Sequence, residues 1–99
     1  MIRVDFLYRV KTINKEQLLA KFAESADPKF DSQLTNTKIE MAFLEHNDYT
    51  DISLNIYYQT IEDYQERTAF ERSQADWNAI WFQENDVFEL VSTKVYQLA

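Results

Sequence analysis

Five side chains in this sequence have the types and spacing to build a ligand pocket: Tyr8, Tyr58, Arg67, Trp77 and Trp81. Trp77 and Trp81 stand four positions apart, so on a helix their indoles share a face. Two flat rings side by side can wall a planar ligand; the plainer reading is a lid that closes the core. Tyr8 and Tyr58 bring hydroxyls to the apolar faces of strand-like segments, and a few polar groups in an apolar cleft are what small-molecule sites usually offer. Turned inward, Arg67 could hold a carboxylate or an anionic oxygen. Glu71 follows it by four residues, however, and that spacing predicts an exposed helical ion pair. Arg72 lies about 140° further round the helix than Arg67, so the two guanidinium groups do not converge.

Other chemistries lack their residues. The 99-residue chain has no cysteine and no glycine. The first absence removes thiolate nucleophiles, disulfides and thiolate metal sites. The second removes every loop in which glycine lets the backbone cradle a phosphate. His46, the only histidine, falls in the polar turn 45–50, with no serine in a relay with it. Asp48 and Asp51 flank that turn without the calcium-loop pattern, so neither a metal nor a cofactor is expected. A formal charge of −7 disfavours nucleic acid. No apolar run approaches the roughly 20 residues that span a bilayer, and the N-terminus alternates without a signal-peptide core. A cytoplasmic location is the matching expectation.

The elements that must position these residues follow from periodicity. Ile2, Val4, Phe6, Tyr8 and Val10 alternate with mostly charged residues and predict a strand. Asn14 with Gln17 reads as a capping box for a helix over Lys15–Ser25, ended by Asp27-Pro28. Residues 27–35 read as a loop anchored by Phe30 and Leu34. Thr37–Leu44 and Ile52–Tyr58 alternate again and predict an antiparallel hairpin. Without glycine, turns that need a positive φ fall to Asn47-Asp48 and Asn85-Asp86.

Thr60 with Asp63 caps a second helix. Its inner face is predicted from Ile61, Tyr64 and Thr68, widened by Ala69 and Phe70, with Arg67, Glu71 and Arg72 outside. Asp76 is the expected cap of a short helical turn carrying Trp77, Ile80 and Trp81. A last strand covers about Val87–Gln97. Phe88 and Leu90 fall on one of its faces and Val91, Thr93 and Val95 on the other, so either both faces are covered or a bulge switches them.

With 45% hydrophobic residues the chain can bury one core, and 1–99 reads as a single domain. The order β-α-β-β-α-β predicts an α+β, ferredoxin-like fold: a four-stranded antiparallel sheet with two helices on one face. The other face would carry Leu7, Ala42, Leu44, Tyr57, Val91 and Val95 among polar residues. A second copy covering it makes a homodimer through the sheet faces.

With this topology, the stretch Tyr64-Gln65-Glu66-Arg67-Thr68-Ala69-Phe70-Glu71-Arg72 followed by Asp76-Trp77 resembles the dimeric α+β barrel superfamily, most nearly its NIPSNAP-like and antibiotic-biosynthesis-monooxygenase-like small proteins. The resemblance implies a small-ligand protein, such as a cofactor-independent monooxygenase or isomerase acting on a planar aromatic or quinone-like compound. Haem-degrading members use a histidine on the second helix, and this sequence has none between Thr60 and Gln74. The alternative is a non-enzymatic module whose acidic surface, including Glu62, Glu66 and Glu71, meets a basic partner.

Overall fold

The computed structural model describes residues 1–82 and 87–99. In chain order the elements are β1 (Ile2–Lys11), α1 (Lys15–Ser25), β2 (Asn36–Glu45), β3 (Tyr49–Tyr58), α2 (Ile61–Ser73), α3 (Ala75–Trp81) and β4 (Phe88–Gln97), with short 3₁₀ segments at Thr12–Asn14 and Pro28–Gln33. The strands form one antiparallel sheet in the order β2-β3-β1-β4, so the fold is α+β. No helix among the described residues is long and apolar enough to cross a membrane.

The two strands with the cleanest alternation take the centre. In β1 and β3 the pairs Val4↔Ile56 and Tyr8↔Ile52 put one apolar set on one face. Ile2, Val4, Tyr8, Val10, Ile52 and Tyr58 are all buried there. Leu18 of α1 packs onto Tyr8, Val10 and Ile52, while Tyr64 of α2 packs onto the cluster of Ile2, Val4 and Tyr58. The opposite face of the same strands is tied by polar bonds. Arg3 Nε donates to Asp5 at 2.8 Å, Asn55 Nδ2 to Asp5 at 2.9 Å, and Arg9 Nε to Asp51 at 2.9 Å.

The edge strands are less covered. Ile39 and Phe43 of β2 share the helix-facing side with Ile56 and Ile52, yet Ile39 is 54% exposed and Phe43 is also exposed. The closest backbone approaches between helices and sheet run from α1 to β1 and from α2 to β3, the central pair.

A bulge resolves the parity of the last strand. Tyr8 pairs with Leu90 but Leu7 pairs with Ser92, so Val91 is an extra residue on β4. That insertion brings Phe88, Leu90, Thr93 and Val95 to one side, opposite Val10, Tyr8, Phe6 and Val4 respectively. Val95 therefore lies on the helix-facing side, which corrects its expected place on the outer face. Leu7, Ala42, Leu44 and Tyr57 keep that place, being paired with or flanked by outward residues.

Local chemistry differs from expectation at several ends. The helix over Lys15–Ser25 forms as predicted, but Asn14 makes no capping bond to the backbone; its Oδ1 accepts from Gln17 Nε2 at 3.5 Å. Thr60 does cap α2, its Oγ1 accepting from Asp63 N at 3.1 Å. The cap of α3 is Gln74 rather than Asp76, which sits in the first turn and reaches Lys29. Within 27–35 Phe30 is an anchor and buried, whereas Leu34 is exposed. No described residue has a positive φ, Asn47 and Asp48 included: residues 46–48 span the hairpin with His46 N donating to Tyr49 O at 2.8 Å. The expected Asn85-Asp86 turn lies outside the described residues.

Leu18, fully buried against the central strands, should be costly to truncate. Leu18→Ala is expected to lower the unfolding free energy by about 2–5 kcal/mol in urea titrations. Ile13→Ala, at a position 87% exposed, should leave it within about 0.5 kcal/mol.

Candidate functional site

The site is organised by α2, whose inner stripe is Tyr64, Arg67 and Glu71. These residues follow one another at i, i+3 and i+7 and so share a helix face. Arg67 is only 6% exposed. The expected exposed ion pair is thus an inward one, and Thr68 and Ala69, expected inside, are exposed. The physical reason is what the guanidinium finds there. Its Nε donates to Glu71 Oε2 at 2.9 Å, and its Nη1 makes a short bond to the backbone carbonyl of Phe30. Its central carbon lies 5.4 Å from the ring centres of both Phe70 and Trp77. Carbonyl, carboxylate and two ring faces together replace the water that burial strips from the charge. An apolar side chain would fill the volume but leave the Phe30 carbonyl and Glu71 without this donor.

The five residues picked from sequence do not line one pocket. Arg67 and Trp77 belong together, with Trp77 edge-on to Phe30 at 5.1 Å and 85°. Tyr8 and Trp81 form a second group, 5.8 Å apart, closed by Phe22 and Phe88. The tryptophans are thus divided between two aromatic clusters rather than forming one wall. Tyr58 stands with Tyr64, ring centres 5.4 Å apart. His46, in the hairpin connection, stacks on Tyr49 at 4.2 Å and meets Asp51 at 3.3 Å, away from these groups.

Glu71 is the residue that sequence reasoning left outside, and it links the groups electrostatically. Burial raises its pKa above the ordinary glutamate value, with Arg67 pulling the other way. Burial pushes the Tyr8 phenol up to about 12, and the Glu71 charge adds to the rise. Tyr58 is raised by burial and then by Glu71, with Arg67 opposing. Both phenols therefore stay protonated donors at neutral pH. Below them the floor is incompletely covered: Phe6, Leu54 and Ile56 are half-buried, as is Met41 on β2. The signal that could have found Glu71 was its seven-residue spacing from Tyr64, with Arg67 between.

Two buried polar atoms on α3 lack partners among the described residues, Trp81 Nε1 and Asn78 Oδ1. Two surface clefts of about 330 Å³ each lie to the outside of α3. One is lined by Lys21, Glu24, Asp27, Lys29, Asp76 and Ile80 among others, and the second by Lys29, Phe30, Gln74, Ala75 and Asp76. Neither is lined by any of the five predicted residues.

No family model matches this chain, and no curated protein matches it. Among solved structures, the crystal structure of protein Atu4242 from Agrobacterium tumefaciens, a structural-genomics target, is similar with a TM-score of 0.76. The match covers 100% of this chain and 94% of that one at 19% identity, a likeness of fold.

Two outcomes follow from the inward pair. Arg67→Met should cost about 2–4 kcal/mol, below the fully buried case because the Glu71 side chain keeps 22% exposure. Adding Glu71→Leu should restore part of that loss, and a double-mutant cycle in urea measures the coupling. For Tyr8 the folded pKa lies above the unfolded value of 10.0, so its contribution is complete below pH 10 and is lost as pH rises toward about 12. Tyr8→Phe should remove that phase from a spectrophotometric tyrosinate titration.

Proposed function

We propose that this chain is a small-ligand-binding protein of the dimeric α+β barrel type, with a ferredoxin-like topology, working as a cofactor-independent monooxygenase or isomerase on a planar aromatic or quinone-like compound. The observation that carries the reading is the Arg67–Glu71 pair turned inward on α2. A charged pair facing an incompletely covered apolar floor, with two protonated phenols nearby, is an arrangement suited to a small ligand. Such a site excludes water, orients the substrate and stabilises charge that develops on it. In an oxygenase of this kind an enolisable or phenolic substrate supplies the electrons and molecular oxygen accepts them. In an isomerase a proton is removed from one atom of the substrate and returned to another.

The homodimer belongs to the same proposal. Leu7, Ala42, Leu44 and Tyr57 give the outer sheet face apolar ground between its ion pairs, and Leu44 is 61% exposed. A second copy laid on that face would cover it. The competing reading, an acidic module for a basic protein partner, loses Glu71 from its outer surface, since that carboxylate faces inward beside Arg67.

The deciding experiment is a titration of tryptophan fluorescence with quinones, polyphenols and flavin, alongside Trp77→Ala and Trp81→Ala, with light scattering on the same samples. The expected result is saturable quenching that depends on at least one tryptophan, in a protein of twice the chain mass. Indoles that ignore every planar ligand would overturn the ligand reading, and a monomeric mass would overturn the dimer.

A further inference from the structure

The sheet ends on β4, which pairs with β1 on one side and, among the described residues, with no strand on the other. From Glu89 to Tyr96 every residue except Ser92 is exposed, with Leu90, Val91, Val95 and Tyr96 the large apolar ones. Such an edge presents unmet backbone donors and acceptors, the template on which a further strand pairs. The charged residues of β4 are Glu89 and Lys94, both on the outer side of the sheet. Neither has an ion pair or hydrogen bond among the described residues. Their neighbours on β1 are engaged elsewhere: Arg9, opposite Glu89, holds Asp51, and Asp5, opposite Lys94, accepts from Arg3 and Asn55.

The bulge at Val91 decides which partner strand fits. In a regular strand Leu90 and Thr93 would face opposite ways; the extra residue brings both to the helix-facing side. A partner without a matching insertion loses register there, which is how bulges ordinarily blunt an edge. A second copy of the chain carries the same insertion. Laid antiparallel about a two-fold axis between Val91 and Ser92, it sets Leu90 of one copy opposite Thr93 of the other and Glu89 opposite Lys94. The first pair then shares the helix-facing side and the second the outer side, and symmetry makes each pair twice. On β2, the other edge, Lys38 and Glu40 already meet within their own strand at 3.7 Å, and Glu40 also accepts from Tyr57 Oη at 2.7 Å.

We propose that the β4 edge is a docking surface for a second copy of this chain, which adds its own β4 in that register and continues the sheet. The inference goes beyond the ligand reading and the face-packed dimer, since it uses the edge of the sheet and not its outer face. A ribbon of about six residues a side is small beside a standard interface, so this contact forms as the protein is concentrated.

The test joins light scattering over a concentration series to placed thiols. The mass is expected to double from its dilute value. Glu89→Lys and Lys94→Glu, each alone, set like charges opposite one another and should weaken that step on the order of tenfold, and the two together should restore it. The natural chain has no cysteine, so introduced thiols report the register. Leu90→Cys and Thr93→Cys chains, mixed and oxidised, should give a disulfide-linked dimer on a non-reducing gel. Neither chain alone should do so, because the register opposes Leu90 to Thr93 and not to itself. Both positions lie on the helix-facing side, so packing of outer faces does not bring them together. A mass fixed at twice the chain keeps the face-packed dimer and overturns the edge contact. A double reversal as weak as the single ones overturns it too, as does equal cross-linking in all three samples or cross-linking in none.

Discussion

Arg67 holds the helical layer in place. It reaches from the inner face of α2 to the backbone of the 3₁₀ segment at Pro28–Gln33 and to Glu71 one turn along its own helix. Taking a guanidinium out of water is unfavourable unless its donors are met, so the arginine fixes the positions of the groups that meet it. Phe30 is buried in the same place, and Trp77 closes over it from α3. The distant segment Pro28–Gln33 is thereby brought into one arrangement with α2 and α3. The same constraint turns Glu71 inward, and with it the electrostatics felt by Tyr8 and Tyr58.

The sheet beneath divides its labour between centre and edges. β1 and β3 bury most of their helix-facing residues, leaving Phe6, Leu54 and Ile56 half-buried, and carry polar bonds on the other side. The edges are different: Ile39 and Phe43 on β2, and Leu90 and Val95 on β4, keep much of their surface open. A chain of this size has too few helical residues to roof four strands of ten. The incomplete roof gives the inner groups an apolar floor that is partly open, which a ligand site needs and a sealed core does not have.

The sequence was legible where one physical signal governed. Alternation in β1, β2 and β3 gave strands because each has one apolar face, and the cap at Thr60 gave the start of α2 because a hydroxyl met an orphan N–H. It was less legible where two signals competed. In α2 the apolar residues are few, so assigning the inner face by hydrophobicity chose Thr68 and Ala69, while burial chose Arg67 and Glu71. A guanidinium reads as exterior in any window of sequence; only a carbonyl and a carboxylate supplied from elsewhere make it interior. Of the candidate site, Tyr8, Tyr58 and Arg67 are buried, and the two tryptophans are parted by the rings they each found first.

What the sequence alone determined is the element order, the α+β class and the absence of thiol and phosphate-cradle chemistry, since these depend on residue types and local periodicity. The tertiary structure decided the rest. The parity of β4 turned on one bulged residue, which only pairing with β1 could locate. The inward placement of Arg67 and Glu71 turned on partners supplied by a distant segment. Local sequence carries the period of an element, but the face that a polar residue takes depends on the hydrogen bonds waiting for it across the fold.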